Sequence, residues 1–245
     1  MTGRSAVIGV VSNLLTEAEV GGRRASGLAI LHRQGLGVLR RPVPSSELPK
    51  LPEYKELMDK HMVIGDHKSE KDFLSAIIGH ARLPTKGTEY VNENNHPVVI
   101  DNIVGVHNGT VADVDIFNSF TSLKRIAEVD TEAIFQLIKY FADKREDKMV
   151  KAIQRASHYI KGGFACGLLN ARNVYNLYAF RNMPSIRILY YQDVGVVFFA
   201  TREHIITKAV EPVKEVLGEP TEITLLSDSG IAFNLWNKTM HKFRL

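Results

Sequence analysis

The chain has 245 residues, of which 44% are hydrophobic and 24% are charged, and its formal net charge is +4 from 31 basic and 27 acidic side chains. This composition is typical of a globular protein and excludes a disordered or collagen-like chain. The basic residues are scattered and do not form a stripe with interleaved aromatic side chains, so the composition argues against a nucleic-acid partner.

The sequence also bears on location and on cysteine chemistry. No apolar run approaches the roughly 20 residues of a membrane span, and Met1 to Ser5 lack the apolar stretch of a signal peptide. We therefore expect a cytoplasmic protein without a membrane partner. The single cysteine, Cys166, cannot form an internal disulfide or a multi-cysteine metal site. We expect it to be a small buried apolar group.

Short apolar runs predict four strands in the first part of the chain. They are Ser5–Val11, Gly27–Leu31, Ala76–His80 and Pro97–His107. The third and fourth strands run into glycine-containing turns, at Gly87 and Gly109 respectively. A proline-rich loop over residues 42–52 precedes a helix predicted for Glu53–Met62. The chain is therefore expected to begin with strands.

Two amphipathic helices are predicted in the middle of the chain. The first follows Asp130, a natural N-cap, and its apolar side chains recur at spacings of three and four residues. The second runs from about Asp147 to Tyr159 and ends at the glycine pair 162–163. These helices separate the early strands from a later group of strands.

The last third of the chain predicts mostly strands. Four apolar segments favour a meander: Phe164–Leu169, Tyr175–Phe180, Ile186–Tyr191 and Val194–Ala200. A short helix near His204–Val210 and strands near Glu222–Leu226 and Ile231–Phe233 complete the order. This order favours an α+β fold with antiparallel sheets covered by helices. No long linker is evident, so residues 1–245 are expected to form a single domain.

Two segments carry a family resemblance. Residues 79–87 (GHARLPTKG) and 106–110 (VHNGT) resemble the signature loops of class II glutamine amidotransferases, and the segments 95–97 (NHP) and 130–132 (DTE) resemble two further motifs of that family. Examples are the glutaminase domains of glucosamine-6-phosphate synthase and of glutamine phosphoribosylpyrophosphate amidotransferase. The resemblance implies the N-terminal-nucleophile hydrolase fold, a four-layer α-β-β-α sandwich of two antiparallel sheets.

The resemblance also assigns binding roles. Arg82 matches the ligand of the glutamine α-carboxylate, and a guanidinium suits that task because it grips a carboxylate at two points. Asp130 matches the partner of the α-ammonium, and Thr85 matches a residue of the glutamine pocket. Asn108 and Gly109 match the oxyanion hole, whose donors stabilise the charge that develops during amide hydrolysis. Taken singly, each of these residues is better explained as a surface charge, a helix cap or part of a common turn, and only their joint order and spacing favours the family.

Three histidines offer an alternative site. His80, His96 and His107 could form a metal trio, but the resemblance makes them structural residues of the signature loops. We therefore expect neither a metal nor another cofactor.

The nucleophile departs from the family pattern. Active members begin with a cysteine whose thiolate attacks the amide, and the resemblance aligns that strand with residues 5–9, so that Ser5 is the candidate nucleophile position. A serine hydroxyl is a weaker nucleophile than a thiol and depends on an adjacent base. Arg24 also replaces an acidic residue of the pocket wall.

Two functions remain open at this stage. In the first, the chain is a glutamine amidotransferase-like protein without glutaminase activity, a binding or assembly scaffold whose partners are glutamine, another protein or a second copy. The alternative is an active glutaminase that uses Ser5 after N-terminal trimming. Such an enzyme would release ammonia for a separate acceptor subunit. Whether the chain is an enzyme is therefore undecided by the sequence.

Overall fold

The computed structural model describes residues 3–62, 74–143 and 149–245. The elements of the first part are α1 (Gly3–Ala18), β1 (Ala25–His32), β2 (Gly35–Arg41), α2 (Pro52–His61), β3 (Leu74–Arg82), β4 (Val98–Ile100), β5 (Ile103–Val111), α3 (Asp113–Ser119), α4 (Asp130–Asp143) and α5 (Met149–Ser157). The second part contains β6 (Gly162–Asn170), β7 (Asn173–Arg181), β8 (Arg187–Tyr191), β9 (Val196–Ala200), α6 (Glu203–Val210), α7 (Lys214–Leu217), β10 (Thr221–Glu222), β11 (Ser229–Asn234) and β12 (Thr239–Arg244). Over these ranges, no helix has the length and apolar character needed to cross a bilayer.

The strands form two antiparallel layers. One layer is a six-stranded sheet in the order β12-β11-β7-β6-β5-β4. The other consists of two three-stranded sheets, in the orders β2-β1-β3 and β10-β8-β9. All strand pairs in the three sheets are antiparallel.

Both small sheets pack on the same face of the six-stranded sheet. Ala29 and Ile78 of the first small sheet share an apolar cluster with Val106 and Leu177 of the large one. Side chains of β8 in the second small sheet pack with side chains of β6, β7 and β11 in the same way. Because one sheet face buries both small sheets, they form a single layer opposite the large sheet.

Helices cover the outer face of each layer. Phe135 of α4 is fully buried in the cluster that joins α4 and α5 to the large sheet. On the other side, α1 packs in two directions: Leu15 contacts the cluster around β1, β2 and α2, whereas Val10 belongs to the cluster around β8 and α6. Helix α1 therefore bridges the two small sheets. The predicted α+β class and four-layer α-β-β-α sandwich are confirmed.

Several expected elements differ in the structure. The predicted strand Ser5–Val11 is wrong, because these residues lie within helix α1. A continuous apolar run is compatible with a strand or a buried helix, and α1 is apolar around its circumference because it packs on two clusters. The predicted meander is wrong as well, since β8 and β9 leave the sheet that contains β6 and β7.

Other differences concern the bounds of predicted strands and helices, and elements that the sequence did not predict. Gly109 lies inside strand β5 and not in a turn after it. The strand expected near Glu222–Leu226 is reduced to the two residues of β10. Helix α5 covers the described part of the helix expected from Asp147, whose predicted start lies outside the described residues. Strands β2 and β12 and helices α3 and α7 were not predicted from the sequence.

Candidate functional site

Five of the six predicted site residues line one cavity of about 1730 Å³. Arg82 is the last residue of β3, and Thr85 lies in the loop that follows. Asn108 and Gly109 lie on β5, and Asp130 is the first residue of α4. The ends of two strands and one helix therefore meet at one end of the cavity, which we call the Arg82 end.

Arg82 is almost fully buried, with 3% of its surface exposed. Its guanidinium donates hydrogen bonds to the carbonyl oxygens of Lys86 (2.5 Å) and Gly87 (2.9 Å) and to Oδ1 of Asn95 (3.0 Å). Burial lowers the pKa of Arg82, while Glu89 and Asp130 act in the opposite direction. These three bonds use three of the five donors of an arginine. The guanidinium therefore has N–H groups left that could donate hydrogen bonds to an anion in the cavity.

Asn95, the first residue of the 95–97 motif, supports Arg82. It is fully buried, and its side chain accepts from Arg82 while donating to the carbonyl oxygen of Glu89 (2.7 Å). The backbone amide of Arg24 donates to the carbonyl oxygen of Arg82 (3.2 Å), whereas the Arg24 side chain is mostly exposed. Arg24 is therefore not part of the cavity lining, contrary to the pocket-wall role expected from the sequence, and its backbone amide binds the Arg82 carbonyl.

Gly109 has a backbone conformation that requires glycine. Its φ is +141°, and a Cβ atom at this position would lie 2.0 Å from the carbonyl oxygen of Gly163 on the neighbouring strand β6. A side chain here would collide with backbone that cannot move away cheaply. Asn108 and Gly109 are exposed to the cavity at this point. A side-chain amide and a backbone N–H are therefore available side by side.

Asp130 joins the start of α4 to strand β5. Its Oδ2 accepts a hydrogen bond from the amide of Val111 (2.9 Å), and its Oδ1 lies 3.9 Å from Nδ1 of His107. The residue is buried, with 6% of its surface exposed, and it lines the cavity with Arg82. A buried carboxylate and a buried guanidinium therefore face the same space, an arrangement suited to a ligand that carries both charges.

Comparisons with known proteins show which proteins this chain resembles. The chain is 36% identical over 114 residues to the glutamine–fructose-6-phosphate aminotransferase (isomerizing) of Oceanobacillus iheyensis, covering 45% of this chain and 19% of that protein. It is 25% identical over 180 residues to the enzyme of the same name from Staphylococcus epidermidis, covering 71% and 27% respectively. The chain therefore spans only about a fifth to a quarter of these curated relatives. No family model matches the chain.

A solved structure extends the likeness over almost the whole chain. The glutamine phosphoribosylpyrophosphate amidotransferase of B. subtilis, complexed with ADP and GMP, superposes with a TM-score of 0.66 at 16% identity, covering 98% of this chain and 46% of that one. The shared fold and the similar sequences indicate the same kind of domain. This chain carries a class II glutamine amidotransferase-like domain. The resemblance drawn from its loop motifs is thereby confirmed.

The three histidines of this amidotransferase-like domain form a buried group behind the Arg82 end. The rings of His80 and His96 stack with centroids 4.2 Å apart, and the hydroxyl of Thr131 is hydrogen-bonded to His96 (2.8 Å) and His107 (3.0 Å). Burial lowers the pKa of His80 to about 4 and that of His96 well below its ordinary value. The described residues contain no group of three or more side chains suited to hold a metal.

Ser5 is separated from the other predicted residues. It is exposed near the start of α1, and it does not line the cavity. The neighbouring Arg4 bonds to the carbonyl oxygens of Met58 (3.0 Å) and Met62 (2.8 Å) at the end of α2. The last turn of α1, in contrast, leads to Gly22, where a Cβ would lie 2.2 Å from the Arg82 carbonyl carbon. Ser5 is therefore at the end of α1 remote from Arg82.

Cys166 is buried as expected. It lies on β6 opposite His107, within the cluster beneath α4 and α5. Burial raises the pKa of its thiol well above the ordinary value, with Asp130 adding to the effect. Because the thiolate is the nucleophilic form, Cys166 is not placed as the nucleophile of the amidotransferase-like domain.

One further network was missed from the sequence. Asp113, at the start of α3, is buried and accepts from Lys86 (2.7 Å) and from Arg125 (2.5 Å). Lys86 belongs to the loop whose carbonyl oxygens bind Arg82. No sequence pattern links residues 86, 113 and 125, because their contact depends on how two loops meet the start of α3. The ion pairs anchor the loop that contains Thr85.

Proposed function

We propose that this domain binds free L-glutamine at the Arg82 end of the cavity and that Ser5 does not hydrolyse it. Arg82 would take the α-carboxylate, Asp130 would take the α-ammonium, and Thr85 would line the pocket. The side-chain amide of Asn108 and the N–H of Gly109 would face the amide end of the ligand. The relatives named after glutamine support this choice of ligand.

One observation carries the proposal: the buried charges of Arg82 and Asp130 line the same cavity. Burying a charge is costly unless it is paired or hydrogen-bonded. Arg82 is held by two carbonyl oxygens and Asn95, and Asp130 by the amide of Val111. Both groups are therefore fixed in advance, which reduces the entropy cost of binding a small zwitterion.

Glutamine hydrolysis is the second candidate function. Asn108 and Gly109 favour it, because donors of this kind stabilise a tetrahedral intermediate. Ser5 speaks against hydrolysis by the mechanism expected from the sequence, since it is exposed on α1 and outside the cavity lining. We therefore expect the 245-residue chain to bind glutamine. We do not expect Ser5 to contribute to any release of glutamate.

A ligand series tests the binding proposal without altering the fold. Calorimetric titration would compare L-glutamine with 4-carbamoylbutanoate, which lacks the ammonium, and with glutamine α-amide, which lacks the carboxylate. Each loss should weaken binding by about tenfold or more, because a charged hydrogen bond contributes about 1.5–3 kcal/mol. Equal binding of all three ligands, or no binding of glutamine at millimolar concentration, would exclude the proposed site.

An assay of glutamate release separates the two functions. The wild-type chain, Ser5→Ala and Asn108→Ala would be compared, with Asn118→Ala as a control on the exposed end of α3. Release by wild type that is lost only in Asn108→Ala would establish hydrolysis at this cavity by a nucleophile other than Ser5. A cytoplasmic location, a single domain over 1–245 and a protein partner or second copy remain predictions of the sequence.

A further inference from the structure

Two loops adjoin the charged residues of the proposed glutamine site. Residues 83–88, which we call the Arg82 loop, follow Arg82 at the end of β3. Residues 121–129, which we call the Asp130 loop, lead into Asp130 at the start of α4. A zwitterionic ligand binds well only if it reaches both charges at once, so small displacements between them are costly. The contacts that join the two loops therefore affect the affinity for such a ligand.

The Arg82 loop determines where the guanidinium lies. Lys86 and Gly87 supply two of the three acceptors that hold Arg82, at 2.5 Å and 2.9 Å. The third acceptor, Asn95, lies beyond this loop in the sequence. A displacement of Lys86 would therefore move or release the guanidinium, although Lys86 itself does not line the cavity.

The side chain of Lys86 is fixed by Asp113. Nζ of Lys86 donates to Oδ1 of Asp113 at 2.7 Å. The Asp113 side chain is buried, with 2% of its surface exposed. Lys86 is thus bonded at its carbonyl oxygen by Arg82 and at its ammonium group by Asp113. Asp113 is therefore connected to the guanidinium of Arg82 through Lys86.

The other oxygen of Asp113 binds the Asp130 loop. Oδ2 accepts a hydrogen bond from Arg125 of that loop at 2.5 Å. Arg125 also donates to the carbonyl oxygen of Ala127 at 3.3 Å, and its guanidinium carbon lies 4.4 Å from the centroid of the Phe117 ring. These contacts hold the Arg125 side chain between α3 and its own loop. One carboxylate thus bonds both loops.

Asp113 is ionised in this arrangement. Burial alone would raise the pKa of its carboxyl, but the hydrogen bonds from Lys86 and Arg125 outweigh burial and lower the pKa below its ordinary value. A buried charge without partners is costly, so the fold favours the arrangement in which both cations contact Asp113. The side chains of Lys86 and Arg125 are 52% and 36% exposed, so dissolved salt screens part of this attraction.

A second link joins the same two loops at another point. Asn94 is fully buried, donates to the carbonyl oxygen of Thr88 at 3.1 Å and accepts from the amide of Glu128 at 2.9 Å. This link holds the end of the Arg82 loop. Lys86 lies between Arg82 and that link, and its side chain is bonded to Asp113. Loss of the ion pair should therefore displace the middle of the loop without separating the two loops altogether.

We propose that Asp113 is a positioning residue for the glutamine carboxylate: through Lys86 and Arg125 it fixes the loop that holds Arg82 relative to the loop that leads into Asp130. Asp113 does not line the cavity, so it acts without touching the ligand. This inference rests on the proposed function, because it takes Arg82 as the group that binds the carboxylate.

Four variants test the positioning role. Asp113→Asn removes the charge with little change of shape. Asp115→Asn, on the exposed side of the same helix and paired with Lys161 at 3.0 Å, is its matched control. Lys86→Met removes the intermediate cation and Lys86→Arg retains it, and both keep the backbone carbonyl. Because the Lys86 side chain is half exposed, these two variants should fold even if Asp113→Asn does not.

Calorimetric titration compares two ligands. L-glutamine should bind about tenfold more weakly to Asp113→Asn and Lys86→Met, and less than about twofold more weakly to Asp115→Asn. Lys86→Arg should remain within about threefold of the wild type, because it keeps a charged donor. Glutamine α-amide has no carboxylate for Arg82 to hold, so Asp113→Asn should change its affinity by less than about twofold. Equal weakening of both ligands would assign Asp113 a general role in stability and overturn the proposal.

Salt and a double variant identify the route. The loss caused by Asp113→Asn should shrink between about 0.05 M and about 0.5 M sodium chloride, since salt screens the half-exposed cations. In a Lys86→Met background, Asp113→Asn should weaken binding by less than about twofold more, because the connection to Arg82 is already broken. A full further loss in that background would show that Asp113 does not act through Lys86.

A measurement without glutamine separates this inference from the proposed function. The guanidinium N–H groups of Arg82 are bonded and buried, so their NMR signals should exchange slowly with water, and Arg82→Lys identifies these signals. Asp113→Asn should speed their exchange at least about tenfold, whereas Asp115→Asn should not. Unchanged exchange in Asp113→Asn would overturn the positioning role, whether or not glutamine binds. Faster exchange in a protein that does not bind glutamine would refute the proposed function and leave the link from Asp113 to Arg82 in place.

Discussion

Oδ1 of Asn95 accepts a hydrogen bond of 3.0 Å from the guanidinium of Arg82, and both side chains are buried. The same amide donates to the carbonyl oxygen of Glu89 at 2.7 Å. Asn95 thus fixes the cation that is proposed to bind the glutamine carboxylate and holds the loop beside it.

Replacing Asn95 should therefore weaken both the fold and the site. In Asn95→Ala, a buried donor of Arg82 loses its partner, which costs about 1–3 kcal/mol, and the carbonyl oxygen of the half-buried Glu89 loses a donor. We expect a lower urea midpoint and about tenfold weaker glutamine binding by calorimetry. Asn92→Ala, an exposed residue of the same loop, is the control. Unchanged binding in Asn95→Ala would show that Arg82 is positioned without it.

The backbone at Gly109 should not tolerate a side chain. In Gly109→Ala the Cβ would meet the carbonyl oxygen of Gly163 at 2.0 Å, and φ of +141° is strained for alanine. We expect a loss of about 1–3 kcal/mol in the free energy of unfolding, read from urea titration. Thr110→Ala, the exposed neighbour, should change it by less than about 0.5 kcal/mol. Similar midpoints for the two variants would contradict the strand geometry.

The buried histidines should make the fold sensitive to acid. The pKa of His80 is about 4 in the folded chain, and the ordinary value is 6.5, so the unfolded chain binds more protons between these values. Stability should therefore fall as the pH decreases from about 6.5 to about 4, with little further loss from this residue below pH 4. His96 and His107, whose pKa values burial also lowers, act in the same direction.

Urea midpoints measured between pH 4 and pH 8 check this expectation. The variant His80→Gln should show a shallower decline than the wild type, whereas His241→Gln, exposed on β12, should retain it. A wild-type midpoint that is constant from pH 6.5 to pH 4 would show that the histidines are readily protonated in the folded chain.

The thiol of Cys166 should be inert in the folded protein. Burial raises its pKa well above the ordinary value, and the thiolate is the reactive form. Because the chain has one cysteine, a thiol reagent reports on this position alone. We expect reaction at least about a hundredfold slower in buffer than in denaturant. Rapid reaction in buffer would show that the core beneath α4 opens readily.

Residues chosen from local motifs lie together in the structure, whereas the predicted first strand and the predicted meander do not match it. Arg82, Thr85, Asn108, Gly109 and Asp130 were chosen from loop motifs, and all five line one cavity. The hydrogen bond between Arg82 and Asn95 and the ion pair between Lys86 and Asp113 could not be predicted. Each contact joins two residues that are separated in the sequence and share no pattern. A short motif in the sequence can therefore identify a candidate site residue. The residues that hold it in place become evident only when the loops are assembled in the fold.

Strand and helix errors have equally specific causes. The run Ser5–Val11 lies in α1 because Val10 and Val11 enter different apolar clusters, which removes the polar face that would mark an amphipathic helix. Strand β12 was missed because its sequence, TMHKFR, has one buried apolar residue, Phe243. It forms as a strand through its ladder with β11 and not through its own hydrophobic pattern.

The polar character of β12 has a consequence for solubility. β12 is one outer edge of the six-stranded sheet, where it presents His241, Lys242 and Arg244 to solvent. The opposite edge, β4, is only three residues long. Positive charge on one edge and a very short strand on the other hinder edge-to-edge pairing of the sheet with that of another molecule. Concentrated solutions should therefore resist fibril growth from this sheet, and neutralising Lys242 and Arg244 should remove part of that resistance.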